Sequence, residues 1–187
     1  MDDVFAGGGL EVSNESQSLL ANLATVTDAQ WRARVAGSSR TIEAIAIHVG
    51  ACKRMYANHA FEDGRLTWDS ADTSPWRPGS APREDAIRWL REEHERLMRL
   101  VRALGDADLM VVRRANWGEE RETRWLLSIL LQHDAYHAGE INHLPGLLAG
   151  EDRWRWQIDV GIDPEPGGPA VTAPPPRDSA QRHVAPE

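Results

Sequence analysis

Four stretches of the chain repeat apolar residues with the 3.6-residue period of an α-helix, and this periodicity constrains the fold most. They lie at about 13–26, 41–59, 80–104 and 123–148, separated by segments rich in Gly, Pro and polar residues. No run of alternating apolar and polar residues indicates a long β-strand. Because four amphipathic helices in one domain close most simply as a four-helix bundle, we predict an all-α fold of that type.

The segments between these helices carry their own signals. Thr27 to Trp31 is typical of a capped extra turn, and a short hairpin is expected around Asn116 between 106 and 122. Residues 64–79 form a long loop with Trp68 and Trp76, the kind of loop that covers a site or makes an interface. Pro145 should bend or weaken the last turn of the fourth helix.

The last 27 residues, 161–187, are rich in Pro, Gly and Ala and hold almost nothing large and apolar. We predict one domain over residues 1–160 and a disordered tail over 161–187, whose deletion should leave the melting temperature nearly unchanged. Trp154 and Trp156 lie just before the tail and are expected to anchor on the bundle or on a second subunit.

Charge narrows the range of partners. The 187 residues include 21 Lys and Arg against 29 Asp and Glu, a net charge of −8 without any local basic block. Such a chain is repelled by phosphate backbones and anionic lipid, so we expect no nucleic-acid or membrane partner. The single cysteine, Cys52, excludes an internal disulfide, and the N-terminus lacks the pattern of a secretion signal, so we expect a cytoplasmic protein.

The fourth helix carries the strongest chemical signal. His133 and His137 are one helical turn apart, and Glu140 falls with them in an arc of roughly 60° that also holds Leu126, Ile129 and Leu144. Burying two imidazoles and a carboxylate among leucines costs roughly several kcal/mol of folding free energy unless they are paired, hydrogen-bonded or bound to a metal. This arrangement predicts a metal site inside the bundle.

The second helix offers a third imidazole. His48 shares the inward side of that helix with Ile45 and Met55, so it can face His133 and His137 across the bundle. Three histidines without a cysteine pair leave coordination positions open, as catalytic sites do, and would suit zinc, nickel, iron or another borderline divalent ion. Cys52 is left out of the ligand set because free cysteines are commonly small buried apolar residues.

The other histidines are predicted to have structural or surface roles and not to bind the metal. His59 is too far along its helix to share an ion with His48 and is expected to pack or lie at the surface. His94 faces inward on the third helix, either as a core residue or, less favoured, as part of a pocket. His143 and His183 are interpreted as surface and tail residues.

Two segments resemble the DinB superfamily of bacterial four-helix proteins: Thr41-Ile-Glu-Ala-Ile-Ala-Ile-His48 and Leu130-Leu-Gln-His-Asp-Ala-Tyr-His-Ala-Gly-Glu-Ile141. The similarity extends over roughly residues 10–150. It implies that His48, His133 and His137 bind a divalent metal. Characterised members include thiol S-transferases and isomerases that use mycothiol, bacillithiol or glutathione. Many members follow the histidine pair with Arg-Gly-Gln, whereas this chain has Ala138, Gly139 and Glu140.

Three functions stay open at this point. The resemblance favours a metal-dependent enzyme acting on a small molecule, a mycothiol-like S-transferase or isomerase. Separately, we expect the protein to form a homodimer. The second is a metal-dependent hydrolase in which Glu140 is the general base for a metal-bound water; in either enzyme Glu140 is the candidate catalytic acid or base, or an extra ligand. The third is a non-catalytic, metal-stabilised binding or dimerisation module.

Overall fold

The computed structural model describes residues 1–7 and 18–151. The predicted start of the first helix, the tail and Trp154 and Trp156 therefore lie outside the described residues. The elements follow one another as α1 (Asp2–Ala6), α2 (Leu19–Ala24), α3 (Asp28–Trp31), α4 (Ile42–Phe61), α5 (Arg83–Arg102), a 3₁₀ helix (Asp106–Met110), strands β1 (Val112–Arg114) and β2 (Glu120–Glu122), and α6 (Thr123–Leu148).

The all-α prediction is confirmed, and α3 and α4 begin at side-chain caps at the expected positions, whereas α5 begins at Arg83, three residues after the predicted start at 80. The Thr41 side chain accepts a hydrogen bond from the Ala44 N–H at the start of α4, and Thr27 and Gln30 form a reciprocal capping box on α3. Helix α6 covers Thr123–Leu148 as predicted and continues past Pro145 to its end. Three ends are corrected: α2 ends at Ala24 and α5 at Arg102, each two residues before its predicted end, and α4 ends at Phe61, two residues beyond its predicted end.

The predicted hairpin is present and small. Val112 pairs with Glu122 and Arg114 with Glu120 in an antiparallel register. Gly118 has a φ of 94°, a left-handed conformation that glycine adopts without steric cost, and this lets the chain reverse between the strands. The short α1 was not predicted, because five residues are too few to show a helical period.

Helix α4 packs against both α5 and α6, while α6 also contacts α1 and α2. Such packing is consistent with the predicted four-helix bundle, and it leaves α4 buried around most of its circumference. The main core draws apolar residues from each described α-helix, among them Phe5, Leu23, Trp31, Ile45, Leu90 and Ile141. Among the described residues, no helix combines the length and apolar character that crossing a membrane requires.

Candidate metal centre

The structure brings the three predicted histidines together. His48 comes from α4 and His133 and His137 from α6, and one ring nitrogen of each lies within 4.8 Å of the others. His137 is buried, His133 is partly buried and His48 remains accessible to solvent. The three nitrogens therefore converge at a place that is anchored in the bundle and open on one side.

The distances between the rings fit a shared metal ion. The Nε2 atoms of His48 and His133 are 3.3 Å apart. Two nitrogens bound tetrahedrally at 2.0–2.1 Å from zinc are about 3.3 Å apart, so these rings already have the spacing that coordination requires. Three imidazoles with an open side are the donor set of a catalytic divalent site, and we conclude that the residues fit such an ion.

The ring environments keep the imidazoles neutral, which is the form that binds a metal. Burial lowers the pKa of all three histidines, and for His133 the pKa falls to about 3, with the neighbouring His137 and His48 adding to the effect. The carboxylate of Glu140 opposes the lowering of the pKa of His137. All three lone pairs are therefore available at neutral pH.

Glu140 lies beside the site and contacts His137, one of the three candidate ligands. The Nδ1–H of His137 donates to Glu140 Oε2 at 2.5 Å, while the other carboxylate oxygen lies 2.9 Å from the Arg40 guanidinium. A carboxylate on Nδ1 fixes the ring orientation and leaves Nε2 for a metal. Glu140 is therefore placed to orient His137 and is not one of the three converging groups.

The position of this cluster on α6 differs from the predicted one by a small rotation. The buried face of α6 runs through Leu126, Leu130, Asp134 and Ile141. Ile129, His133, Glu140 and Leu144 are only partly buried, so the predicted arc lies at the edge of the inner face. The cause is that α6 packs against α1 and α2 as well as α4, which moves the centre of its buried face away from His133 and Glu140 while His137 stays buried.

A buried ion pair next to the site was missed by sequence reasoning. Lys53 on α4 and Asp134 on α6 form it, with Nζ and Oδ2 2.5 Å apart and both side chains only 2% exposed. Burial lowers the pKa of Lys53, and the Asp134 carboxylate acts against that. The available signal was that Lys53 is the single lysine of the chain and lies within an apolar helix.

The remaining candidates are placed elsewhere. Cys52 Sγ lies 3.5 Å from His48 Nε2, but burial raises the pKa of its thiol to about 12, which keeps it protonated and a poor ligand.

His94 is a core residue that stacks on Phe5 and contacts Asp2. His59 contacts the carbonyl of Leu66. His143, expected at the surface, is partly buried in a cavity beside Glu140, and His183 lies outside the described residues.

Aromatic rings surround the three histidines. The Trp68 ring faces His48 at 6.3 Å, Tyr56 meets His133 edge-on at 6.0 Å, and Tyr136 meets His137 at 5.0 Å. Trp68 comes from the 64–79 loop and Tyr136 from the exposed side of α6. The site therefore opens through an aromatic rim.

Comparison with known families agrees with this geometry. A sequence model of the DinB superfamily matches residues 12–141, more than half of the chain. The chain belongs to the DinB superfamily. Neither the comparison with curated proteins nor that with solved structures gave a match. The matched range contains His48, His133 and His137, so the histidine cluster of this DinB protein lies inside the family domain.

Acid should destabilise the metal-free protein. A histidine whose pKa is lowered by folding binds its proton more readily in the unfolded chain, so stability rises with pH through this range. The loss should begin as pH falls below about 6.5, the unfolded value, and should continue toward the folded pKa of His133 at about 3. Thermal melts between pH 7 and pH 4 test this, and a flat melting temperature would contradict it.

The change Glu140→Gln should keep the fold and weaken metal binding. The neutral amide cannot accept a charge-assisted hydrogen bond from the Nδ1–H of His137. Loss of such a partner of a metal ligand costs about 10- to 100-fold in metal affinity. Competition titration with a chelator measures the change. The change Glu122→Gln is the control, because Glu122 pairs with Arg124 away from the histidines. Equal affinities for the two variants would show that Glu140 does not orient the ligand.

Proposed function

We propose that this DinB protein is a metal-dependent enzyme acting on a small molecule, and that it transfers or isomerises groups through a low-molecular-weight thiol. The observation that supports the proposal most is the cluster of three neutral imidazoles, one of which also lines an apolar cavity. His48 lines that cavity directly, so a molecule bound there would lie next to the metal ligands.

The chemistry follows from the donor set. A divalent ion held by His48, His133 and His137 would supply a Lewis acid that lowers the pKa of a bound thiol and stabilises its thiolate. In the transfer reaction a carbon–sulfur bond forms while the leaving group departs with its electron pair, and the thiol proton passes to solvent. Because three neutral ligands do not reduce the charge of the ion, this site favours an anionic sulfur.

The residues around the histidine cluster orient its ligands and limit the access of water. Glu140 and Arg40 hold the ring of His137, and the buried His137 and partly buried His133 limit water on the bundle side. The hydrolase alternative is less well supported, because both Glu140 oxygens are already engaged by His137 and Arg40. A general base needs a free oxygen within hydrogen-bond reach of the water that it activates.

Thiol binding can be tested apart from turnover. We expect the cobalt(II)-loaded full chain to develop a sulfur-to-cobalt charge-transfer band in the near ultraviolet when mycothiol, bacillithiol or glutathione is added. The His133→Ala variant should show no such band, whereas His59→Ala, a histidine change on α4 outside the cluster, should behave as the unchanged protein. No band with any of the thiols would overturn the proposal.

Turnover distinguishes an enzyme from a binding module. Zinc-, nickel- and iron-loaded protein should consume a thiol in the presence of an electrophile faster than the same metals in buffer. Retained metal with no acceleration for any thiol or ester, together with tight self-association in sedimentation, would support the non-catalytic module instead.

A further inference from the structure

A cavity of about 350 Å³ lies between α4 and the 64–79 loop and begins at His48. Its lining includes Ala44, Ile47 and Ala51 on the helix and Trp68 and Trp76 on the loop. This volume is within the range of small-molecule pockets, and the surface is predominantly hydrocarbon and aromatic. A ligand here would lie against one of the metal ligands.

The loop wall is fixed by contacts at both ends. Near its start, the Leu66 carbonyl contacts the His59 ring at 2.8 Å. Beyond its end, the Ala81 N–H donates to the buried Glu43 carboxylate at 2.6 Å, and the Trp31 indole donates to the Ala81 carbonyl at 2.9 Å. The loop is therefore held on the bundle at both ends, and the cavity is formed before a ligand arrives.

The inner wall is equally well defined. Trp76 packs edge-on against Trp89 with ring centroids 5.5 Å apart. Trp89 in turn lies directly on Gly50 of α4, where a Cβ would come within 2.3 Å of the indole. Only glycine allows this approach, and it fixes both indoles against the helix. Trp68 is 51% exposed and forms the outer rim, nearly parallel to the His48 ring at an interplanar angle of 13°.

Charge decides which ligand class fits. Among the described residues that line the cavity, Glu43 is the carboxylate, and its two oxygens already contact the Ala81 N–H and the Arg32 guanidinium. Apart from an ion at the histidine cluster, a charged ligand group would find no free counter-charge among these lining residues and would lose its hydration. A flat apolar group would instead cover hydrocarbon and stack on an indole.

We propose that this cavity is the subsite for a neutral, planar aromatic group on the molecule that reacts at the histidine cluster, with Trp68 and Trp76 as its specificity-determining residues. That this molecule reacts at the histidine cluster rests on the proposed function. Binding of the aromatic group itself depends only on the cavity.

Isothermal titration of the zinc-loaded full chain with 2-naphthalenemethanol tests the subsite. We expect saturable binding, with the fully saturated decahydro analogue binding several-fold more weakly because it cannot stack flat. The change Trp68→Ala should weaken binding of the naphthyl probe about tenfold through lost stacking and contact area. The change Ala44→Phe should block the cavity, and because Ala44 is an exposed residue of α4 the fold should tolerate it.

The matched control is Trp125→Ala. Trp125 is 39% exposed on α6 and contacts Trp117 and Arg121, away from the cavity. The Trp125→Ala variant should bind the naphthyl probe with an affinity within twofold of that of the unchanged protein. Absence of binding to the unchanged protein, equal weakening by Trp68→Ala and Trp125→Ala, or equal affinity for the aromatic and saturated probes would each overturn the inference.

The outcomes separate the two proposals. The cobalt–thiol band reports on the histidine cluster and the naphthyl titration on the cavity. Naphthyl binding without the cobalt–thiol band would overturn the thiol chemistry and uphold the aromatic subsite. The band without naphthyl binding would uphold thiol binding and overturn the subsite.

Discussion

The change His133→Ala should abolish tight binding of a divalent ion, lowering the affinity by more than about 100-fold. Even loss of an outer partner of a metal ligand costs about 10- to 100-fold, and His133 supplies one of three converging nitrogens. Because His133 is only partly buried, truncation should leave the fold intact. Metal analysis of the reconstituted protein and a chelator competition give the affinity, and circular dichroism checks the helix content.

Two comparisons make this result specific. The changes His48→Ala and His137→Ala should act in the same direction, since each removes one of the other two nitrogens. The change His59→Ala should leave affinity unchanged, because the His59 ring contacts the Leu66 carbonyl away from the cluster. If His133→Ala and His59→Ala retained one ion per chain with equal affinity, the histidine cluster would not be a metal site.

The second large effect is expected from the buried ion pair. The change Lys53→Met leaves the Asp134 carboxylate, 2% exposed, without its partner inside the bundle. Breaking a buried pair by removing one member costs about 3–5 kcal/mol, a large fraction of the stability of a domain this size. Urea unfolding of the metal-free protein should show this loss in the free energy of unfolding.

The double change Lys53→Met with Asp134→Leu should recover most of that loss, because neither charge then remains in the core. Arg124→Met supplies the surface control: it removes an exposed pair with Glu122 and should change the free energy of unfolding by at most about 1 kcal/mol. A Lys53→Met variant as stable as the unchanged protein would show that Asp134 is satisfied without the lysine.

The same pair connects stability to the site. Lys53 lies on α4, five residues after His48, and Asp134 follows His133 directly on α6. The ion pair therefore joins the two helices close to the candidate metal ligands. We expect the double variant to bind metal less tightly than the unchanged protein even though most of its stability is recovered. The reason is that an apolar pair does not fix the register of α4 against α6 as a directed hydrogen bond does.

Much of the site was visible in the sequence because it depends on local geometry. His133 and His137 share one side of α6 whatever the fold, since residues four apart are one turn apart. The capped start of α4 at Thr41 and the extent of α6 follow from local rules in the same way. His48 needed the further assumption that α4 faces α6, and the structure confirms it.

Contacts between distant parts of the chain could not be read in this way. The partner of Lys53 lies 81 residues away, and Glu140 meets Arg40, which precedes α4. Neither pairing has a periodic signature, because each depends on how helices rotate against one another during packing. The predicted inward arc of α6 was displaced for this reason: contacts with α1 and α2 set which side of α6 is most buried.

The sequence by itself determined the positions of the main helices, the pair of histidines on α6 and the family, since these reside in short-range periodicity and in the matched pattern. The tertiary structure alone decided that Glu140 holds His137, that Lys53 and Asp134 meet in the core, and that Trp68 and Trp76 wall a cavity beside His48. The physical reason is that backbone hydrogen bonding fixes a helix locally, whereas the neighbours of a side chain depend on the simultaneous packing of all helices.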